Sequence, residues 1–303
     1  MDDKYPSYAV EILKELATLD PLGDRAFKIL LSDDEIFAAL AESIQGKKLD
    51  VDSIVDINGE MVVTVKGRVI RLDALRATNM EYINMEGQID PALFPYKRHL
   101  YYAAVIYAMS LQKSESYHDL KPVTSIVVYK RKPEANLMEK ASMAGDLIKT
   151  DSDKNQLTLI AINTEKWSDA PTEELRGYLA TLHYGIMHEE NKSQFDGVDR
   201  DNFLFDRFQR AVRLACAKTK YQEHIERGDE SMVAKYASFI SDEDRKAAEE
   251  KGRALGKDEG WIEGVSTAAE IIRLLKDGVP MTDVAQRFKV APAVIKKLNV
   301  VLQ

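Results

Sequence analysis

Residues 68–88 read Arg68-Val-Ile-Arg-Leu-Asp-Ala-Leu-Arg-Ala-Thr-Asn-Met-Glu-Tyr-Ile-Asn-Met-Glu-Gly-Gln88. The pattern predicts two short strands joined by a tight turn at Thr78-Asn79. In the first, Ile70, Leu72 and Ala74 alternate with Arg71, Asp73 and Leu75; in the second, Tyr82, Asn84, Glu86 and Gln88 share a face. Side chains change face at every residue of a strand, so Asp73 can share a face with Glu86 and Gln88. Two carboxylates on neighbouring strands repel unless a cation or a shared proton lies between them. An oxygen-only donor set of this kind suits Mg²⁺ or Mn²⁺. The hairpin is therefore expected to be a metal-dependent centre acting on phosphodiesters.

Outward from this stretch, Val51–Ile57, Met61–Lys66, Val69–Leu75 and Tyr82–Gln88 read as an antiparallel meander, with Asn58-Gly59 and Lys66-Gly67 at its turns. Upstream, a short helix is expected at Ala9–Leu19. Asp24 is the expected N-cap of a helix through Phe27, Leu30 and Leu31. Ser32 with Glu35 forms a capping box that starts another, closed by Gly46. Downstream, Phe94–Lys113 has helical periodicity with an apolar stripe at Leu100, Ala104, Tyr107, Ala108 and Leu111. Val123–Tyr129 suits a buried strand. A polar linker (Lys130–Lys154) with a short helix at Met138–Leu147 follows, then a strand at Leu157–Ile162. Helices are expected from Thr172 through His183 and over Asn202–Lys220, and almost throughout from Asp229. Glycines at 252, 256, 260 and 264 form a degenerate short repeat. Met281–Phe288 and Ala291–Val300 make a helix pair with a tight turn. The expected fold class is α/β, in the order helix, antiparallel meander, helix, strand, followed by a mostly helical C-terminal region. The expected division is 1–170, a helical extension over 171–264, and a small helix-turn-helix-like module over 265–303.

The 303 residues carry a formal charge of −8, so no global basic field points to nucleic acid. Between Glu60 and Lys132, however, eleven Lys/Arg face seven Asp/Glu, a local excess of four positive charges. One cysteine, Cys216, excludes an internal disulfide and a Cys-rich zinc site, and its apolar helical setting predicts a buried, inert thiol. The five histidines (99, 118, 183, 188, 224) have no metal-ligand spacing. No signal pattern opens the chain and no apolar run approaches the ~18 residues of a membrane span. The expectation is a cytoplasmic protein without a membrane partner.

Several short motifs in this order resemble the PD-(D/E)xK nuclease superfamily, and within it the transposase-like, recombination-promoting nuclease family. They are Asp24-x-x-Phe27-Lys28, Arg71-Leu72-Asp73, Asn84-Met85-Glu86-Gly87-Gln88, Arg98-x-x-Tyr101-Tyr102, Tyr117-x-x-Leu120-x-Pro122 and Leu157–Lys166. The resemblance covers about residues 20–170 well. It implies a restriction-endonuclease-like core and an Mg²⁺-dependent DNA endonuclease involved in transposition or recombination. Asp73 and Glu86 would hold one Mg²⁺ (or Mn²⁺), with the Gly87 carbonyl and Asp24 as further ligands. Catalysis would rest on Asp73, Glu86 and Gln88. Gln88 stands where the superfamily has a lysine; a glutamine can orient water but supplies no charge. Lys28, Lys97 or Arg98 could supply that charge, and Arg98 and Tyr102 could contact phosphates. A homodimer is expected by the same analogy, because two sites are needed to cut two strands.

Competing readings of the same residues stay open at this point. Asp73 between Arg71 and Arg76 also fits a surface salt-bridge network. Asp24 fits a helix cap, Tyr101 and Tyr102 fit packing against the sheet, and the terminal helix pair fits a structural cap or dimer contact better than a DNA reader. The whole chain also fits a catalytically silent module that binds DNA or a protein. The metal chemistry would act equally on RNA.

Overall fold

The computed structural model describes residues 7–57, 63–65, 68–89, 96–111, 116, 119–130, 135–143 and 157–246, and the single positions 274, 279, 284, 287 and 288. The turns at Asn58-Gly59 and Lys66-Gly67, Tyr117, His118, the glycine series and the second of the terminal helices lie outside the described residues. The chain divides into two compact units, Met1–Ser241 and Asp242–Gln303. The account below concerns the first.

That unit is α/β. Helices α1 (Ser7–Leu16), α2 (Asp24–Leu30) and α3 (Asp34–Gln45) precede strands β1 (Val55–Asp56), β2 (Val63–Val65), β3 (Arg68–Ile70), β4 (Ala74–Ala77) and β5 (Tyr82–Gln88). Then come α4 (Tyr96–Met109), β6 (Val123–Tyr129), β7 (Met138–Met143), β8 (Leu157–Asn163), α5 (Glu173–Tyr184) and α6 (Phe203–Arg227). A further helix occupies 230–241 of this unit. Six strands form a mixed sheet in the order β1-β4-β5-β6-β8-β7. β5, β6 and β8 are parallel, whereas β1, β4 and β7 join antiparallel. β6 is buried along its whole length, as its unbroken apolar run dictates.

The two faces of the sheet are covered differently. Ala74, Ile83, Met85, Ile126, Val128, Ile160 and Ile162 face one large core shared with α1–α3, α5 and α6. Leu75 and Val123 face a smaller one with Ala103 and Ile106 of α4. Arg76 fastens α2 and α3 to the strands. It is 1% exposed, pairs with Asp34 and Asp56 at 2.9 Å each, donates to the Leu31 carbonyl at 2.7 Å and lies over the Phe37 ring.

Several expectations need correction. The predicted strand 69–75 is broken at Arg71–Asp73, and β2 and β3 form their own two-stranded sheet outside the meander. Val51–Ser53 is a 3₁₀ turn. Met138–Met143 is not a helix but an edge strand paired with β8, because β8 offers it a free row of backbone groups. In α4 the buried stripe is His99, Ala103 and Ile106, while Leu100 is exposed. Gly23, not Asp24, caps α2. Asp33, not Ser32, caps α3, accepting from the Glu35 and Ile36 amides. The boundary expected at 170–171 runs through a shared core, since Leu175, Tyr178 and Phe208 pack with the N-terminal helices. Cys216 is buried in α6, and burial pushes its thiol up to about 12.

Candidate active site

The turn between β4 and β5 sets the register on which the site depends. The Thr78 hydroxyl accepts from the Met80 and Glu81 amides, and the Thr78 amide donates to the Glu81 carbonyl at 2.9 Å. Ala77 thereby pairs with Tyr82, and Ala74 with Met85. One further step along the ladder brings Asp73 opposite Glu86 on the face that Leu75 and Asn84 share. The hydrogen bonds agree: the Asp73 amide donates to Glu86 Oε1 at 3.4 Å, and the Gly87 amide donates to Asp73 Oδ2 at 3.0 Å.

Gly87 has a second role, which follows from its missing side chain. A Cβ there would lie 2.8 Å from Phe27 Cδ1 and 3.1 Å from the Leu22 carbonyl oxygen. The glycine lets α2 lie directly on β5, which carries Lys28 to the carboxylates. The Lys28 ammonium sits 3.4 Å from Asp73 Oδ1 and 2.8 Å from Asp24 Oδ1. Gly87→Ala is expected to cost about 1–3 kcal/mol as overpacking against the fully buried Phe27. A denaturant melt checks this, and a loss below about 0.5 kcal/mol would refute the close-approach account.

Asp24, Lys28, Arg71, Asp73, Glu86, Gly87, Gln88 and Arg98 line one cleft of about 440 Å³ at the C-terminal end of β5. Its floor is acidic and its rim basic. Glu86 is almost fully buried, and its carboxyl is pushed up to about 8 by that burial first and by the charge of Asp73 second. Burial also raises Asp73, against the Gly87 amide and Lys28, which favour its ionised form. Lys28 is raised despite its own burial, because Asp24 and Asp73 stabilise the ammonium.

Two predicted substrate residues do not join this group. Lys97 faces a separate, mostly apolar groove with Tyr96, Leu100 and residues of β7 and β8. Tyr102 stands behind Arg98, accepting from its Nε at 2.9 Å with the guanidinium over its ring at 5.2 Å. It can hold Arg98 but does not line the cleft. The alternative salt-bridge reading of Asp73 takes a different form, since Arg76 serves the opposite face and Asp73 pairs with Lys28. Arg71, which the sequence did not single out as a substrate contact, lines the cleft; its place two residues before Asp73 was the available signal.

The donor set suits a small hard cation: two desolvated carboxylates that repel one another, with the Gly87 carbonyl adjacent in sequence. Asp24 is largely exposed and already held by Lys28. Among the described residues no three His, Cys, Asp or Glu side chains gather into a metal-holding group. Any ion would therefore rest on Asp73 and Glu86 with backbone or water oxygens. No helix among the described residues is long and apolar enough to cross a membrane. Comparison with protein-family models gave no match, and no curated protein or solved structure matched the chain significantly.

Proposed function

We propose that this cleft hydrolyses phosphodiester bonds of DNA with Mg²⁺ or Mn²⁺ held by Asp73 and Glu86, on a restriction-endonuclease-like core. The observation that carries the reading is the burial of two facing carboxylates beneath a rim of Lys28, Arg71 and Arg98. A core built for stability alone would not keep such a pair together, because burying charge without a partner is costly. A divalent ion there would supply charge to polarise the scissile phosphate and acidify an attacking water. The chain's own groups do the remaining work. Arg71 and Arg98 receive phosphate oxygens at the rim, Gln88 orients the water through its carboxamide, and Lys28 provides the positive charge that Gln88 lacks. The element order α2, β4–β5, α4, β6 supports the same fold reading. By the same resemblance the protein acts as a cytoplasmic homodimer in transposition or recombination.

Purified protein with Mg²⁺ or Mn²⁺ is expected to nick or linearise plasmid DNA, and Asp73→Ala is expected to abolish this. Intact plasmid with either ion, or cleavage by Asp73→Ala at the parent rate, rejects the reading. A second reading, a silent DNA- or protein-binding module, is favoured by one observation: the Lys28 ammonium already pairs with both Asp24 and Asp73. The two part on Mn²⁺, which raises the melting temperature only if the cleft binds it. Parallel RNA and DNA substrates decide between the polymers.

A further inference from the structure

One buried cation stands behind the cleft without lining it. Lys130, the residue after β6, follows Ile126 and Val128 at two-residue spacing, on the sheet face that packs into the large core. It is 7% exposed, and an aliphatic residue there would extend that core. Its ammonium instead pairs with Asp20 Oδ2 at 2.8 Å. Such a pair is weak evidence for stability, since well-packed apolar residues of similar volume commonly match or exceed it. The contacts of Asp20 supply another reason for it. Asp20 Oδ1 accepts from the Leu22 amide at 3.0 Å, and the Asp20 carbonyl accepts from the Gly23 amide at 2.9 Å. Asp20 therefore shapes the turn from α1 to α2. Leu22 lines the cleft with its carbonyl oxygen close to Gly87, and Gly23 caps α2, the helix that carries Lys28. At the other end, the Lys130 amide donates to the Gln88 carbonyl at 3.2 Å, which fixes Lys130 to the strand bearing Glu86 and Gln88.

We infer that Lys130 is a positioning residue: through Asp20 it sets the α1–α2 turn against β5 and so places the Lys28 ammonium beside Asp73. The inference rests on the hydrolytic reading of the cleft, in which Lys28 supplies the charge that Gln88 lacks. Leu22 and Phe27 press α2 toward the sheet, but apolar contact is non-directional and leaves the helix free to slide. An ion pair joined to a hydrogen-bonded turn fixes distance and direction together. The chain from Gln88 through Lys130, Asp20 and Leu22 to α2 thus ties the two sides of the cleft to one another.

The test uses the full-length protein and the double variant Asp20→Asn, Lys130→Met, which removes both charges and keeps an acceptor for the Leu22 amide. Single-turnover plasmid cleavage with Mn²⁺ should slow about 10–100-fold at saturating DNA, the usual effect of a misplaced charge near the chemistry. The half-saturating DNA concentration should stay within about twofold, because Arg71 and Arg98 are untouched. Mn²⁺ affinity by calorimetric titration should hold or rise, since a displaced Lys28 no longer competes for Asp73. The metal-free melting temperature should hold or rise as well. Asp20→Glu keeps the ion pair but lengthens it by one methylene; it should slow cleavage by less, and it carries the test if the double variant fails to fold. Variants that cut at the parent rate overturn the inference alone. So does a joint fall of rate, Mn²⁺ affinity and melting temperature, which would make the pair merely structural. A parent protein that binds Mn²⁺ but leaves plasmid intact overturns the hydrolytic reading and the inference with it.

Discussion

Glu86→Gln is expected to lower DNA cleavage by about 10²–10³-fold, corresponding to about 3–4 kcal/mol of lost transition-state stabilisation. The same variant is expected to melt at a higher temperature than the parent in metal-free buffer at pH 8. Both effects follow from one carboxylate. As an ion, Glu86 is buried beside Asp73 and receives a hydrogen bond from the Asp73 amide. That arrangement is unfavourable without a cation and useful with one. Glutamine keeps the shape and removes the charge, so the protein gains stability and loses its cation ligand. Single-turnover cleavage and a thermal melt on one preparation measure both. A variant that cuts like the parent would remove Glu86 from the chemistry. One that melts lower would mean the buried charge was not a burden.

The second large effect is on pH dependence. Glu86 titrates near its ordinary value of 4.5 in the unfolded chain and at about 8 in the folded protein. Between those values the folded state holds a proton that the unfolded state has released, so stability falls as pH rises. The slope approaches about 1.4 kcal/mol per pH unit. The loss is complete above pH 8, and below pH 4.5 the penalty is absent. Asp73 is raised as well and adds to the same trend. Mn²⁺ competes with that proton, so its stabilising shift should be small at pH 5 and large at pH 8. Melts at both pH values, with and without Mn²⁺, check the sign. A metal-free protein that gains stability from pH 5 to 8, with Glu86→Gln doing the same, would contradict the arrangement described.

The elements readable in the sequence were those whose pattern is set locally. The apolar runs of β6 and β8 had one available environment, and the alternation of β5 fixed which residues face Asp73. Gly46 and Thr172 mark helix ends by chemistry that needs no tertiary partner. What escaped depended on neighbours. Met138–Met143 is a strand because β8 lies beside it, not because Met-Glu-Lys-Ala-Ser-Met favours extension. The phase of α4 was ambiguous because apolar residues occur around much of its circumference. Leu100, Tyr101 and Met109 remain exposed, while His99 is buried and held neutral, its pKa lowered to about 4 mainly by burial. That rotation decides between Lys97 and Arg98: adjacent on a helix they point about 100° apart, and only Arg98 reaches the cleft. Lys28 could be named from sequence, but its contact with Asp73 depends on how closely α2 approaches β5, and that approach depends on Gly87.

The seating of Phe27 against Gly87 has a thermal consequence. Phe27 belongs to the same core that fills the space under α1, α3, α5 and α6. The Lys28 ammonium, one residue later, is therefore anchored through Phe27 to that large core, so its contact with Asp73 should persist on warming for as long as α2 stays seated on β5.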